Sequence, residues 1–346
     1  MEKTGFGIIG AGMISELHVQ AIQTSQNCRL VGIYDAVPEF AARRAEQFNC
    51  KSYRNFEEFL SDREIEAVTI ATPSGAHLDM VVAAAKAGKH IFCEKPLEIT
   101  LARVDEMLKV CRENNVMLMP VFQNRFSKPV QVLRKAVQEG KLGKMIFAGG
   151  QMHWFRNDDY YNRSKWRGTW AMDGGGALMN QAIHMIDMLI YINGSPAEVC
   201  GMSGTMTHDI EVEDTLCAAI KWENGSFGTI EVSTSCGPGF PRRLEFAGSC
   251  GSVAFEEDKI SRWEFAEESA EDEEIRRIYC GKADAAGGSN PTNINCDGHR
   301  LELDNLADAI RNDTPLLIDG SEGRRAVELI CGIYESVRSG KKYIFS

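Results

Sequence analysis

The sequence lacks an excess of positive charge, paired cysteines and any long apolar run, and each absence removes a class of protein. Lysine and arginine number 38 against 49 aspartates and glutamates, a formal net charge of −11. A surface of that sign repels a phosphate backbone, so nucleic acid is not an expected partner. A dinucleotide is not excluded, because backbone N–H groups at a helix start meet its charge locally. The eleven cysteines are scattered and form no CxxC pair, which argues against a disulfide framework and against a zinc site, and no metal is expected. Cys93, Cys111 and Cys217 fall in predicted strands or helices, where cysteine acts as a small hydrophobe. No apolar stretch approaches the roughly 18 residues of a membrane span. Met1-Glu2-Lys3-Thr4 leads into a short apolar run without the charged, apolar and small-residue regions of a signal peptide. A cytoplasmic protein without membrane association is expected.

What is present is enough for two domains: 346 residues with 44% hydrophobic content. The first third alternates short β-branched runs with helical segments. Strands are predicted at 6–9, 30–34, 67–71, 90–93 and 116–120, and helices at 14–24, 38–48, 77–87 and 101–114. That alternation is the pattern of βαβ units and a parallel sheet, so residues 1–122 are expected to form one doubly wound, Rossmann-type domain. From 123 to 346 the texture changes. A helix is predicted at 129–139, a strand at 145–154 and a helix at 177–192. Strand-like runs then succeed one another between 197 and 265 without helices between them. This is the pattern of an antiparallel sheet in an α+β domain. Asn224-Gly225 between two of the runs is a hairpin signal. The acidic run 267–274 is expected to be a solvated loop or hairpin tip, and closing helices are predicted at 300–311 and 323–339.

Gly10-Ala11-Gly12-Met13-Ile14-Ser15 follows the first predicted strand and opens the first helix. Gly10 allows the tight turn, and Gly12 leaves room for a pyrophosphate at the helix start, with Met13 and Ile14 lining the same turn. Ser15 stands where the usual fingerprint has a third glycine. Asp35 ends the second strand 23 residues after Gly12, the place of an acidic residue that accepts from the adenosine ribose hydroxyls and repels a 2′-phosphate. NAD is therefore expected in preference to NADP. Arg43 and Arg44, in the following helix, are expected to cover its exposed face.

Glu94-Lys95-Pro96 comes directly after the strand 90–93. In a doubly wound sheet ligands bind beyond the carboxyl ends of the strands, so Lys95 is a candidate to exchange a proton with a substrate hydroxyl. Glu94 reads as its positioning partner. A second cluster follows Gly174-Gly175-Gly176, where Asn180, His184 and Asp187 are spaced i, i+4 and i+7 on one predicted helix face. His184 there is a candidate acid or base. The segment 153–170 carries Arg156, Tyr160, Tyr161, Arg163, Trp166 and Arg167, which suit a sugar ring or an anionic group as well as a structural loop.

The glycine turn, Glu94-Lys95-Pro96 and the glycine-rich helix bearing His184 resemble the Gfo/Idh/MocA family of oxidoreductases, and the likeness extends to His299-Arg300 and Asp319–Arg324. The resemblance implies that Lys95 and His184 are the catalytic pair, and that Thr72, Pro73 and His77 line the cofactor with Glu94, Trp166 and Arg167. It also implies that Tyr160, Lys95, Asn180 and His184 meet the substrate, and that an open antiparallel sheet face mediates a homodimer or homotetramer. Many members carry Asp where this chain has Asn180, and Asn cannot exchange a proton. Proton transfer then falls to Lys95 and His184. The implied reaction is oxidation of a CH–OH group on a cyclic sugar or polyol. Oxidation of a nucleotide sugar at its 3-position and a non-catalytic NAD-sensing role are the other readings.

Overall fold

The computed structural model describes residues 2–281 and 296–345. In the first part of the chain the elements are β1 Thr4–Ile9, α1 Met13–Thr24, β2 Cys28–Tyr34, α2 Pro38–Phe48, β3 Lys51–Tyr53, α3 Phe56–Ser61, β4 Ala67–Ile70, α4 His77–Lys86, β5 His90–Cys93, α5 Leu101–Glu113 and β6 Leu118–Pro120. Their starts are legible locally. Pro38 sits at the first turn of α2, Asn55 accepts from the Glu57 and Glu58 N–H groups ahead of α3, and Thr100 accepts from Arg103 N–H ahead of α5. The six strands form one sheet in the order β3-β2-β1-β4-β5-β6, and every pairing is parallel. Phe6, Ile8, Ile33, Ile70 and Phe92 are fully buried in it. The strand order reverses direction between β1 and β4, which makes the carboxyl ends of these strands the binding edge. The short pair β3 and α3 lay outside the elements predicted from the sequence.

The next elements are α6 Lys128–Gln138, β7 Met145–His153, α7 Asp158–Asn162, α8 Ile183–Asn193, β8 Pro196–Gly204, β9 Thr215–Trp222, β10 Phe227–Ser233, β11 Arg243–Gly248, β12 Gly251–Glu256, β13 Lys259–Phe265 and α9 Ala270–Tyr279. The chain closes with α10 Asp297–Asn312, α11 Gly320–Ser339 and β14 Tyr343–Ile344. The second sheet runs β13-β12-β11-β7-β10-β9-β8-β14 and is antiparallel except where β7 pairs with β10. One face packs on α8 and buries Trp222, whose indole N–H donates to Ala148 O at 3.0 Å. The other face alternates outward, with Met202, Phe227 and Ile344 exposed. Asn224-Gly225 turns the β9–β10 hairpin, with Gly225 at φ +85°.

Three expectations change. The acidic run is not a loop: Ser269 and Asp272 form a reciprocal capping box, and Glu271, Asp272 and Glu273 lie in the first turn of α9, where the helix dipole favours them. The helix predicted at 177–192 is broken, because Ala177–Gln181 is a π turn in which Ala182 N–H donates to Ala177 O at 2.9 Å, and regular α geometry begins at Ile183. The stretch after 122 is also not one continuous domain. Cys296 to Arg324 groups with the residues up to Gln123 as one compact unit, while Asn124 onward and Arg325 onward make the other. The reason is packing: α10 lies on α1, and Glu302 accepts from the Phe122 N–H at 2.6 Å. Among the described residues no helix is long and apolar enough to cross a membrane.

Candidate active site

In the first unit, Gly10 follows β1 at φ +101°, and a Cβ there would lie 2.6 Å from Ala71 O, so only glycine fits between β1 and β4. Gly12 is the N-cap of α1 and makes no side-chain cap, while a Cβ on it would meet nothing within 4 Å. The first turn of α1 therefore opens on space, with Met13 59% exposed and Ile14 half-buried beside it. An uncapped helix start with open room over a glycine is the cradle a pyrophosphate requires, and the residues present fit a dinucleotide. Ser15 is fully buried and donates to Gly12 O at 2.6 Å, so the third position of the fingerprint packs the helix to the sheet without a glycine.

Asp35 braces this turn. One carboxylate oxygen accepts from Ala11 N–H at 2.7 Å and the other from Val37 N–H at 2.8 Å. Each oxygen retains a second lone pair for a ribose hydroxyl. Arg43 stays on α2 over Phe40. Arg44 does not stay on its helix face: its guanidinium donates to Glu16 at 2.9 Å and to Gly12 O at 3.2 Å, tying α2 to the glycine turn.

Thr72 and Pro73 follow β4 and are half-buried. His77 is buried and has a bracing position: its ring nitrogens lie 3.0 Å from Thr72 O and 2.9 Å from Pro96 O, linking the turns after β4 and β5. Glu98 continues the brace, accepting from Arg103 at 2.8 Å and from Ile99 N–H at 2.6 Å. Lys95 is half-buried at the end of β5, in the cis peptide Lys95-Pro96. Its backbone N–H donates to Glu94 Oε2 at 3.1 Å. Glu94 Oε1 accepts from His18 Nε2 at 2.8 Å and faces His299 Nε2 at 3.9 Å. Burial alone would push the Glu94 carboxyl up, but the bonds and charges of His18 and His299 hold it well below the usual carboxylate range. His18 was not singled out from the sequence. Its position six residues after Gly12 on the inward face of α1 is the signal that finds it.

In the second unit, Asn180 lies in the π turn and His184 is half-buried in the first turn of α8. Asp187 does not serve with them. It is buried against Arg125, which donates to both of its oxygens at 3.0 Å and 2.6 Å, a structural pair. The three residues were expected on one helical face, and the π turn removes the regular spacing that argument needed. Glu213 holds the glycine-rich segment instead, accepting from Gly176 N–H at 3.0 Å, Leu178 N–H at 2.9 Å and Tyr334 hydroxyl at 2.9 Å.

Asn180 sits in a directed chain of hydrogen bonds. Arg167 donates to the Tyr160 hydroxyl at 2.5 Å, Tyr160 donates to Asn180 Oδ1 at 3.4 Å, and Asn180 Nδ2 donates to Asp173 at 2.5 Å. Gln181 Nε2 bridges Tyr160 at 2.7 Å and Asn180 at 2.7 Å, and Arg156 donates to Gln181 at 2.9 Å. Burial pushes the Tyr160 phenol up, which keeps it a donor. Arg167 also stands over the Tyr160 and Trp166 rings at 4.5 and 4.8 Å. The segment 153–170 is thus an ordered polar cluster built onto the π turn. Asp173 and Gln181 were not foreseen in it, although both flank residues that were.

A doubly wound sheet with an open helix start, an acidic brace at the end of the second strand and a lysine turn at the end of the fifth defines a two-domain, nicotinamide-dependent oxidoreductase. The chain belongs to the GFO/IDH/MocA oxidoreductase family: residues 4–122 match the family's NAD-binding Rossmann fold and residues 130–254 its C-terminal domain. It is 30% identical over 261 residues to inositol 2-dehydrogenase of Rhizobium meliloti, covering 73% of this chain and 76% of that protein. It is 27% identical over 323 residues to levoglucosan dehydrogenase of Pseudarthrobacter phenanthrenivorans, covering 83% of each. The crystal structure of the WlbA dehydrogenase of Bordetella pertussis, in complex with NADH and UDP-GlcNAcA, superposes with a TM-score of 0.90 at 31% identity, over 100% of this chain and 98% of that one.

The Asn180–Asp173 bond explains the amide at position 180. Asn180→Asp would set two carboxylates at 2.5 Å, with Asp173 2% exposed, and one of them would have to hold a proton. That carboxyl's folded pKa would rise above its unfolded value, so stability is lost as pH rises through the raised pKa. Differential scanning calorimetry should show the variant destabilised by about 1–3 kcal/mol at pH 8 and by much less at pH 5. A deficit independent of pH would remove Asp173 from this account.

Proposed function

We propose that the protein is an NAD-dependent dehydrogenase that oxidises a secondary alcohol on a cyclic sugar or polyol. The observation that carries the reading is the Glu94-Lys95-Pro96 turn at the carboxyl end of β5, on the same sheet edge as the open glycine turn. The reaction converts a ring CH–OH to C=O with loss of a hydride and of the hydroxyl proton, the proton going to a base on this chain. Bound NAD supplies the hydride acceptor. The Lys95 amine and the His184 imidazole are assigned the acid–base work, with Glu94 orienting Lys95. Asn180 and Tyr160 bind substrate hydroxyls. Asn180, already donating to Asp173, orients a hydroxyl without exchanging its proton. Asp35 accepts from the ribose hydroxyls and disfavours a 2′-phosphate, so NAD is preferred to NADP. Gly10, Gly12, Met13, Ile14, Thr72 and Pro73 line the cofactor, His77 supports the Thr72 turn, and Trp166 and Arg167 complete the lining.

A second reading has a specific observation behind it. Arg156 and Arg167 bring two guanidinium groups to Tyr160 and Gln181, next to Asn180, a suitable setting for the carboxylate of a nucleotide sugar such as UDP-GlcNAcA. A regulator that only senses NAD would have no need of Lys95 and His184. The alternating outer face of the second sheet, with Met202, Phe227 and Ile344 exposed, supports assembly with a second copy into a homodimer or homotetramer. The eleven free cysteines suit a reducing, cytoplasmic setting.

Formation of NADH at 340 nm, with myo-inositol, levoglucosan and UDP-GlcNAcA each as substrate, separates these readings. Turnover of one of the first two supports the main reading, and exclusive use of UDP-GlcNAcA the second. NADH binding without turnover on any cyclic alcohol leaves the sensor. Lys95→Ala should lower kcat by roughly 10²–10⁴-fold while NADH binding persists, and undiminished turnover would remove Lys95 from the chemistry. Sedimentation velocity should give a dimer or tetramer that Phe227→Glu weakens, whereas a wild-type monomer would contradict the proposed assembly.

A further inference from the structure

Beneath the Lys95 turn lies a buried group of three titratable residues contributed by three distant parts of the chain. His18 comes from α1, Glu94 from the end of β5 and His299 from α10, and each offers a polar side-chain atom within 4.8 Å of the others. His18 is 0% exposed, His299 2% and Glu94 7%. The two imidazoles also contact each other, with ring centroids 5.5 Å apart, and His18 packs on Phe92 at 5.5 Å. A carboxylate this deep is costly unless its charge is met by donors.

The tautomers follow from the surroundings. Among the described residues neither His18 Nδ1 nor His299 Nδ1 has a hydrogen-bond partner. An orphaned N–H inside a protein is rarer and costlier than an orphaned lone pair. A ring proton therefore belongs on Nε2, the atom that in each histidine faces Glu94. Burial pushes His299 below the usual imidazole range; Glu94 opposes the shift, and the charges of His18 and Lys95 add to it. His18 donates from Nε2 at 2.8 Å, and His299 turns its Nε2 toward the same oxygen at 3.9 Å. A metal would fit less well here, because a ligating histidine ordinarily donates its other ring N–H to a second partner. The 2.8 Å between His18 Nε2 and Glu94 Oε1 is also ordinary hydrogen-bond length.

We propose that His18 and His299 are positioning residues for the reaction: their Nε2–H groups converge on one oxygen of Glu94, whose other oxygen accepts from the Lys95 backbone N–H, and this chain sets the direction in which Lys95 leaves the sheet. The inference rests on the assignment of Lys95 as an acid–base group. His18 supplies the short bond, and His299, at 3.9 Å, closes the same oxygen from the opposite helix. The other titratable groups of this cluster are Cys93 on β5, which feels both Glu94 and Glu98, and Lys95, whose charge reaches His299. Cys93 is held far above its usual range by burial, with Glu94 and Glu98 adding to the effect, and stays a neutral thiol. On α10, Glu302 is engaged with the Phe122 N–H. The histidines are thus the groups that keep Glu94 an anion. A carboxyl with a depressed folded pKa loses its ionised form only as pH falls through that value. Removing a donor raises the value, so the turn is lost at a higher pH.

The experiment compares His18→Leu and His299→Leu with His18→Gln and His299→Gln, which restore an amide donor near the Nε2 position. Carbon-13 NMR of the Glu94 carboxyl, assigned by difference with Glu94→Gln, should show it ionised throughout pH 5–8 in the wild type and titrating within that range in the leucine variants. On a substrate the wild type turns over, the leucine variants should lose roughly tenfold to hundredfold in kcat with KM and NADH affinity little changed. The acid limb of the kcat profile should move to higher pH, into the range where the variant carboxyl titrates. The glutamine variants should recover most of the loss and return the limb. Folded leucine variants with an unshifted Glu94 titration and an unshifted acid limb would overturn the inference. Lys95→Ala as a parallel control keeps the two claims apart. Its retained turnover overturns the assignment of Lys95, whereas its loss of turnover beside unshifted histidine variants overturns the role of the histidines alone. Should a leucine variant fail to fold, the glutamine variants and the wild-type carboxyl titration still decide, because a wild-type Glu94 that takes up a proton between pH 5 and 8 contradicts the account directly.

Discussion

Backbone N–H and C=O groups in the turns beyond a parallel sheet have no ladder partner, and in this protein buried side chains satisfy them. Asp35 takes the Ala11 and Val37 N–H groups, His77 bridges Thr72 O and Pro96 O, Glu94 takes the Lys95 N–H, and Glu302 takes the Phe122 N–H. Asp35 joins the turns after β1 and β2 and His77 those after β4 and β5, while Glu94 closes its own turn and Glu302 ties the turn after β6 to α10. The strands bring the turns to one edge, and the braces fix their shapes.

The same economy governs the second unit, with a different backbone device. Glu213 and Tyr334 hold the glycine-rich segment, the π turn widens the chain, and Asn180 is presented between Tyr160 and Asp173. The amide is required there because a carboxylate already occupies the other side. The Arg125–Asp187 pair, fully withdrawn from solvent, anchors α8 and leaves His184 as the titratable group at its start.

Much of this was legible in the sequence. The alternation of β-branched runs and helical segments predicted the parallel sheet, and the spacing of Gly10, Gly12 and Asp35 marked the turn after β1 and the acidic residue that braces it. Glu94-Lys95-Pro96 stood out because it follows a strand. What escaped were features whose cause is tertiary. A π turn differs from an α-helix by one hydrogen bond, which periodicity over 177–192 does not register. The acidic run at 267–274 looked solvated because charge outweighed its Ser269–Asp272 capping signal. His18 and His299 are separated by 281 positions in the chain, and only the packing of α10 on α1 makes them neighbours of Glu94. Asp187 shared its spacing with Asn180 and His184, yet Arg125 claims it.

We assign the braced edge of the parallel sheet as a nicotinamide site at which Asp35 selects NAD. Titration of the protein with NADH and with NADPH, followed by the quenching of tryptophan fluorescence, tests it most directly. The account predicts saturable NADH binding at least about tenfold tighter than that of NADPH, as expected when a carboxylate faces the ribose hydroxyls. Equal affinity for the two cofactors, or no binding of NADH, would contradict it.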